Sequence, residues 1–180
     1  MGNLPEKTAG PHARATGVVY LLYFLTAVSA QKFPQTSGTY IALNLISCGF
    51  YLALTVLFYY LFRPVNKAIS LIAAFLSSLG CIATVLYIFK MDALAVNPLF
   101  FFGPYCILIG YLVYQSDFLP RFLGILMIVA GIGWLVFLSP LEKQLSLYIK
   151  ITGIVAEALL MFWLIIKGVK TEKWKARHPS

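Results

Sequence analysis

From residue 40 to residue 62 the chain runs without a charged residue, and the run ends abruptly at Arg63-Pro64-Val65-Asn66-Lys67. No other feature restricts the fold as much. About 20 apolar residues are what a helix needs to cross the hydrocarbon of a bilayer, and in lipid such a segment must satisfy its backbone internally, as a helix does. The terminating proline cannot continue a helix, and the cations beside it belong at a headgroup boundary.

Composition points the same way: 61% of the 180 residues are hydrophobic and 11% are charged, against about half and about a quarter in soluble domains. A soluble chain of this length has too little interior to hide that much apolar surface. Further apolar runs occupy residues 13–33, 68–89, 99–114, 122–138 and 145–166, separated by short polar connections. The expected fold is all-α, a polytopic membrane protein built as a six-transmembrane-helix bundle with short loops. Its membrane domain covers residues 13–166, between an N-terminal tail at 1–12 and a basic tail at 167–180.

With six spans the two termini share a side. That side carries Lys7, Arg14, Arg63, Lys67, Arg121, Lys167, Lys170, Lys173, Lys175 and Arg177, whereas the other carries only Lys32, Lys90, Lys143 and Lys150. Excess Lys and Arg mark cytoplasmic loops, so both termini are expected in the cytoplasm and the protein in the cell's inner (cytoplasmic) membrane. The net charge of +8 then serves topology and contact with the lipid bilayer rather than nucleic acid. Lys167, Lys170, Lys173, Trp174, Lys175 and Arg177 read as a lipid-headgroup anchor, with Trp174 at headgroup depth.

Residues 17–32 admit two readings. Basic residues precede an apolar run that ends in Val28-Ser29-Ala30, which fits a cleaved secretory signal as well as a first membrane helix. The order of several motifs bears on the choice. Ala13-Arg14-Ala15-Thr16-Gly17-Val18-Val19-Tyr20-Leu21 is followed by Phe62-Arg63-Pro64-Val65-Asn66, then by Gly110-Tyr111-Leu112 with Phe118-Leu119-Pro120-Arg121-Phe122-Leu123-Gly124. Glu157 with Trp163-Leu164 and Lys167-Gly168-Val169 closes the series. Together these resemble the bacterial membrane proteins known as domain of unknown function 4386, from Ala13 to about Trp174. The resemblance implies that the opening helix is retained, because the Ala-Arg to Tyr-Leu stretch opens the domain in that family too. It implies architecture and no activity. Tyr105 stands where many members carry histidine, so no histidine-based role carries over.

The only histidines, His12 and His178, lie in the tails. That argues against an axial-histidine haem and a membrane zinc protease, whose histidines sit one helical turn apart. A Ser-His hydrolase within the membrane falls with them. Gly131-Ile132-Gly133 lies inside an apolar run, where glycine serves close packing rather than phosphate binding. No enzymatic activity, metal or cofactor is expected. Cys48, Cys81 and Cys106 fall one to a helix, without the paired spacing of a zinc or redox motif, and are expected as small packing residues.

Glu157 stands apart. It lies near the middle of its apolar run, which at about 1.5 Å per residue puts it near the bilayer midplane. A carboxylate there is costly when charged and unpaired, so it is expected to face the bundle interior. Lys150 is two turns away, too far to pair and better placed to reach outward. Matching depth along the helices makes Tyr51, Ser77 and Tyr111 its expected neighbours. Glu157 is either a group that changes protonation or holds a ligand, or a neutral hydrogen-bonding group joining helices.

The fourth run is the shortest and the most interrupted, with Gly103-Pro104 among Phe100, Phe101, Phe102, Tyr105 and Tyr111. Gly103 and Pro104 are candidates for a helix break that lines a binding site, with Tyr105 beside it. A non-enzymatic binding or accessory subunit, holding a lipid, a small ligand or a membrane partner, is the favoured expectation. Homo-oligomerisation is an allied possibility, and a small proton-coupled carrier or channel built on Glu157 is the alternative.

Overall fold

The computed structural model of the chain describes residues 9–90 and 96–177. Lys7, Asp92, His178 and the ends of both tails lie outside the described residues. Among those described there are seven helices and no strand: α1 (Ala9–Ala30), α2 (Gly38–Phe62), α3 (Lys67–Ile88), α4 (Leu99–Gln115), α5 (Arg121–Val136), α6 (Glu142–Ile166) and α7 (Thr171–Ala176).

Polar residues in the connections set several of these ends. The Ser37 hydroxyl accepts from the Tyr40 amide at 3.1 Å and opens α2. The Asn66 side chain accepts from the Ile69 amide at 3.0 Å and opens α3, two residues after Pro64 has closed α2. At the end of α6 the amides of Lys167 and Gly168 both reach the Trp163 carbonyl, at 2.8 and 3.0 Å. Gly168 has a φ of 65°, a left-handed conformation that glycine adopts without steric cost.

Each of the first six helices packs against its neighbours in sequence, and α6 returns to α1, so the helices form a closed ring. Short connections enforce this order by making neighbours antiparallel. The outside of the ring is apolar: Phe75, Leu147, Tyr148 and Ile166 are 62%, 65%, 69% and 66% exposed, in company with many other large hydrophobic residues on every helix of the ring. Water would not tolerate so continuous an apolar surface. Four helices are long and apolar enough to cross a membrane, spanning His12–Ala30, Gly38–Phe62, Lys67–Ile88 and Glu142–Ile166; α4 and α5, with 17 and 16 residues, are shorter apolar helices.

Glycine governs the α4–α5 contact. A β-carbon on Gly110 would lie 2.6 Å from the Gly124 carbonyl oxygen, and one on Gly131 would lie 2.7 Å from the Gly103 carbonyl oxygen. Gly103 and Gly110 are two turns apart on one face of α4, and Gly124 and Gly131 are two turns apart on α5. The antiparallel backbones therefore touch where small residues let them. This corrects the expectation of a break in the fourth helix. α4 continues through Gly103 and Pro104 to Gln115: Gly103 packs against Leu135 and the Gly131 carbonyl, and Pro104, which lacks a backbone donor, does not end the helix.

The end of the bundle where α1 begins and α6 finishes is closed by α7. The Lys170 amide donates to the Phe118 carbonyl at 3.2 Å, and the Trp174 indole N–H donates to the Leu61 carbonyl at 3.0 Å. Arg177 pairs with Asp117 at 2.6 Å, holding the exposed Asp117 carboxyl below its ordinary range. The basic tail thus includes a short helix seated across two inter-helix turns. Beneath it, Phe62 stacks on Phe118 with ring centroids 6.1 Å apart, and Leu61, Leu112, Leu123 and Leu164 are inaccessible.

Candidate ligand site at Glu157

An aromatic chain crosses the interior. Tyr23 of α1 meets Tyr51 of α2 edge to face at 4.6 Å, and Tyr51 meets Phe102 and Tyr105 of α4 at 5.0 and 5.7 Å. Tyr20 continues the chain to Phe58 at 5.9 Å. Such edge-to-face pairs place the positive rim of one ring on the negative face of another and fix the rings relative to each other.

Glu157 enters this cluster from α6. Tyr20 lies beside its carboxyl group, with Tyr23, Tyr51, Tyr105 and Cys106 around it. Among the described residues it makes no ion pair. Lys150 is engaged elsewhere, with its ammonium 5.5 Å from the Phe137 ring centroid.

The expected neighbours divide. Tyr51 and Tyr105 belong to the cluster. Ser77 does not: its hydroxyl is hydrogen-bonded to Thr55 across the α2–α3 contact. Tyr111 is on the outer surface, 38% exposed, with its hydroxyl accepting from the Gln115 amide at 2.7 Å. Ser77 is turned into the α2–α3 contact, and Tyr111 faces outward and lies about 9 Å further along α4 than Tyr105, the α4 residue that joins the cluster. Cys48 and Cys81 lie side by side between α2 and α3. All three cysteines are free, and among the described residues no group of three metal-ligating side chains occurs.

Tyr20, Tyr23 and Trp134 are the members that sequence reasoning missed. Tyr20 and Tyr23, one turn apart in the first apolar run, were a signal available beforehand. Trp134 of α5 reaches the site because Gly153, one turn from Glu157 on the same face of α6, leaves room: a β-carbon on Gly153 would lie 2.5 Å from the indole Cζ2.

A lateral groove of about 220 Å³ leads to the carboxyl group, lined by Tyr23, Phe24, Ala27, Val28, Gln31, Trp134, Ile154 and Glu157. The α1 residues form one stripe, and the eight steps from Tyr23 to Gln31, just past the end of α1, span about 12 Å. Glu157 is only half-buried because it opens into this groove. The groove runs from mid-bundle toward the end opposite the termini, where α1 finishes at Ala30.

Tyr105 is 3% exposed, and its hydroxyl, close to Tyr51, makes no hydrogen bond of good geometry among the described residues. An unpaired buried hydroxyl costs about 1–3 kcal/mol. Tyr105→Phe is therefore expected to raise the thermal-aggregation midpoint in detergent, corresponding to a gain of about 1 kcal/mol. A lowered midpoint would mean that water or a ligand satisfies this hydroxyl.

Ring and site together define a class: an all-helical integral membrane protein with a single carboxyl group at the centre of an aromatic interior, reached through a groove in its wall. The chain belongs to the family described as Domain of unknown function (DUF4386), which matches residues 92–168. That span holds α4, α5 and α6, with the packing glycines, Trp134 and Glu157; the N-terminal motifs and the α1 wall of the groove lie before it. An uncharacterized protein from Archaeoglobus fulgidus is 32% identical over 120 residues, covering 62% of this chain and 73% of the relative. No solved structure matches the chain.

Proposed function

We propose that this protein crosses the cytoplasmic (inner) membrane six times, with both termini in the cytoplasm, and acts as a non-enzymatic binding or accessory subunit that holds a lipid or small ligand beside Glu157. The observation that carries this reading is the groove, which joins a polar mid-bundle group to the lipid-facing surface. The six-span count draws support from the closed ring, in which α4 and α5 occupy the same layer as the four longer helices. The excess of cations at the end closed by α7 supports the orientation and the role of Lys167, Lys170, Lys173, Lys175 and Arg177 at the headgroup surface.

A proton-coupled carrier is the second reading, favoured by the access that the groove gives to a titratable group. Native mass spectrometry of the protein released gently from its membrane, beside Glu157→Gln, separates the two. A small molecule or lipid retained by the native protein and lost from the variant supports ligand holding. Retention of nothing by either, together with a pH-driven flux in liposomes that vanishes in Glu157→Gln, would replace it with the carrier.

A further inference from the structure

Resting on that ligand-holding reading, we infer that the ligand is a monovalent organic cation with an apolar body, an amine or quaternary ammonium compound. It enters laterally along α1 and brings its charge to Glu157. Four observations converge on this chemistry. The groove ends on a carboxyl group, and no Lys, Arg or His lines it. Among the described residues no cation pairs with Glu157, so a carboxylate at the end of the groove has no counter-charge of its own. Tyr23 and Trp134 supply aromatic surface beside the carboxyl group, the combination that attracts organic cations. The remaining wall, Phe24, Ala27, Val28 and Ile154, is apolar and suits a hydrocarbon body rather than a hydrated inorganic ion. Gln31 at the outer rim is uncharged and sets no barrier to a cation. An anionic lipid headgroup is excluded by the same charge logic, since it would meet the carboxylate without a donor of positive charge.

The volume limits size. About 220 Å³ accepts part of a compact ion, the rest projecting into the opening that faces lipid. Glycine at 153 is what admits the Trp134 ring, so the aromatic wall depends on a residue with no side chain of its own.

Binding of radiolabelled tetraphenylphosphonium to the detergent-solubilised full chain tests this, with unlabelled tetraphenylborate, which has the same shape and opposite charge, as competitor. Saturable binding is expected, weakened at least tenfold in Glu157→Gln and several-fold in Trp134→Leu, with no displacement by tetraphenylborate. Ala27→Trp, which fills the groove without replacing the carboxyl group, is expected to abolish binding, and native size-exclusion profiles of both variants separate these losses from misfolding. Equal displacement by tetraphenylborate with unchanged affinity in Glu157→Gln would overturn the cation, leaving a groove for apolar ligands of any charge. Absence of phosphonium binding while a neutral molecule co-purifies with the native protein would do the same. If neither ion binds and nothing co-purifies, the ligand-holding reading falls as well.

Discussion

Gly110→Leu is expected to leave no folded bundle. The substituted β-carbon would sit 2.6 Å from the Gly124 carbonyl oxygen and 2.8 Å from the Ile128 amide nitrogen, and both obstacles are backbone. A clash with a flexible side chain relaxes by a change of rotamer, whereas this one requires α5 to move away from α4. Overpacking ordinarily costs about 1–3 kcal/mol, occasionally more, and a bulky residue wedged between two helix backbones belongs at the upper end. Separation of α4 from α5 also opens the Gly103–Gly131 contact two turns away, so the loss is not confined to one residue. Gly49→Ala is the control: nothing lies within 4 Å of its β-carbon position, and replacing a helical glycine gains up to about 1 kcal/mol. Size-exclusion profiles and aggregation midpoints in detergent should put the two variants on opposite sides of the native protein. A Gly110→Leu protein that elutes as a single symmetric peak with a native midpoint would show that the α4–α5 contact is looser than these distances imply.

The same contact marks how far the sequence could be read. Long uncharged runs located the helices because a membrane leaves the backbone few alternatives, and Pro64 and Asn66 fixed a boundary through local chemistry. The seven-residue spacing of Gly103 with Gly110 and of Gly124 with Gly131 was equally visible, yet what each glycine touches depends on the rotation of two helices against each other, which no local rule sets. Glu157 was conspicuous because a carboxyl group within an apolar run is costly. Depth along the helices is silent on rotation and only approximate: Tyr111 lies nearer the end of α4 and faces outward, while Tyr20 and Tyr23 complete the site from α1. Ring closure was the hidden step. Until α6 meets α1, with Gly17 against Ile165, nothing brings Tyr20 toward Glu157. The basic tail reads from sequence as a headgroup anchor, and its partners, Leu61 at the end of α2 for Trp174 and Asp117 after α4 for Arg177, come from distant parts of the chain that no local pattern connects.

Glu157→Leu is expected to lower the stability of the assembled bundle while leaving membrane insertion unharmed. The two effects have opposite signs because they refer to different states. Insertion of α6 alone improves when a carboxyl group is exchanged for an alkyl group, by about 3 kcal/mol on insertion scales. Assembly is a comparison between the closed ring and helices separated in lipid, and separated helices expose Glu157 to hydrocarbon whereas the ring surrounds it with Tyr20, Tyr23, Tyr51 and Tyr105. The carboxyl group therefore favours the ring, and leucine removes that preference together with the polar group beside Tyr20. Interhelical polar contacts in membranes average about 0.6 kcal/mol and reach about 1–2 kcal/mol; a mid-bundle carboxyl group among tyrosines belongs in the upper range. Glu157→Gln retains a hydrogen-bonding group and is expected to stay near the native midpoint, so the Leu variant must fall below the Gln variant in thermal-aggregation assays at equal expression. Identical midpoints for the two would eliminate any role for Glu157 in joining α6 to α1. Its position at the end of the groove would then be explained by ligand handling alone, since a carboxyl group at that depth that contributes nothing to assembly has only its chemistry to justify its cost.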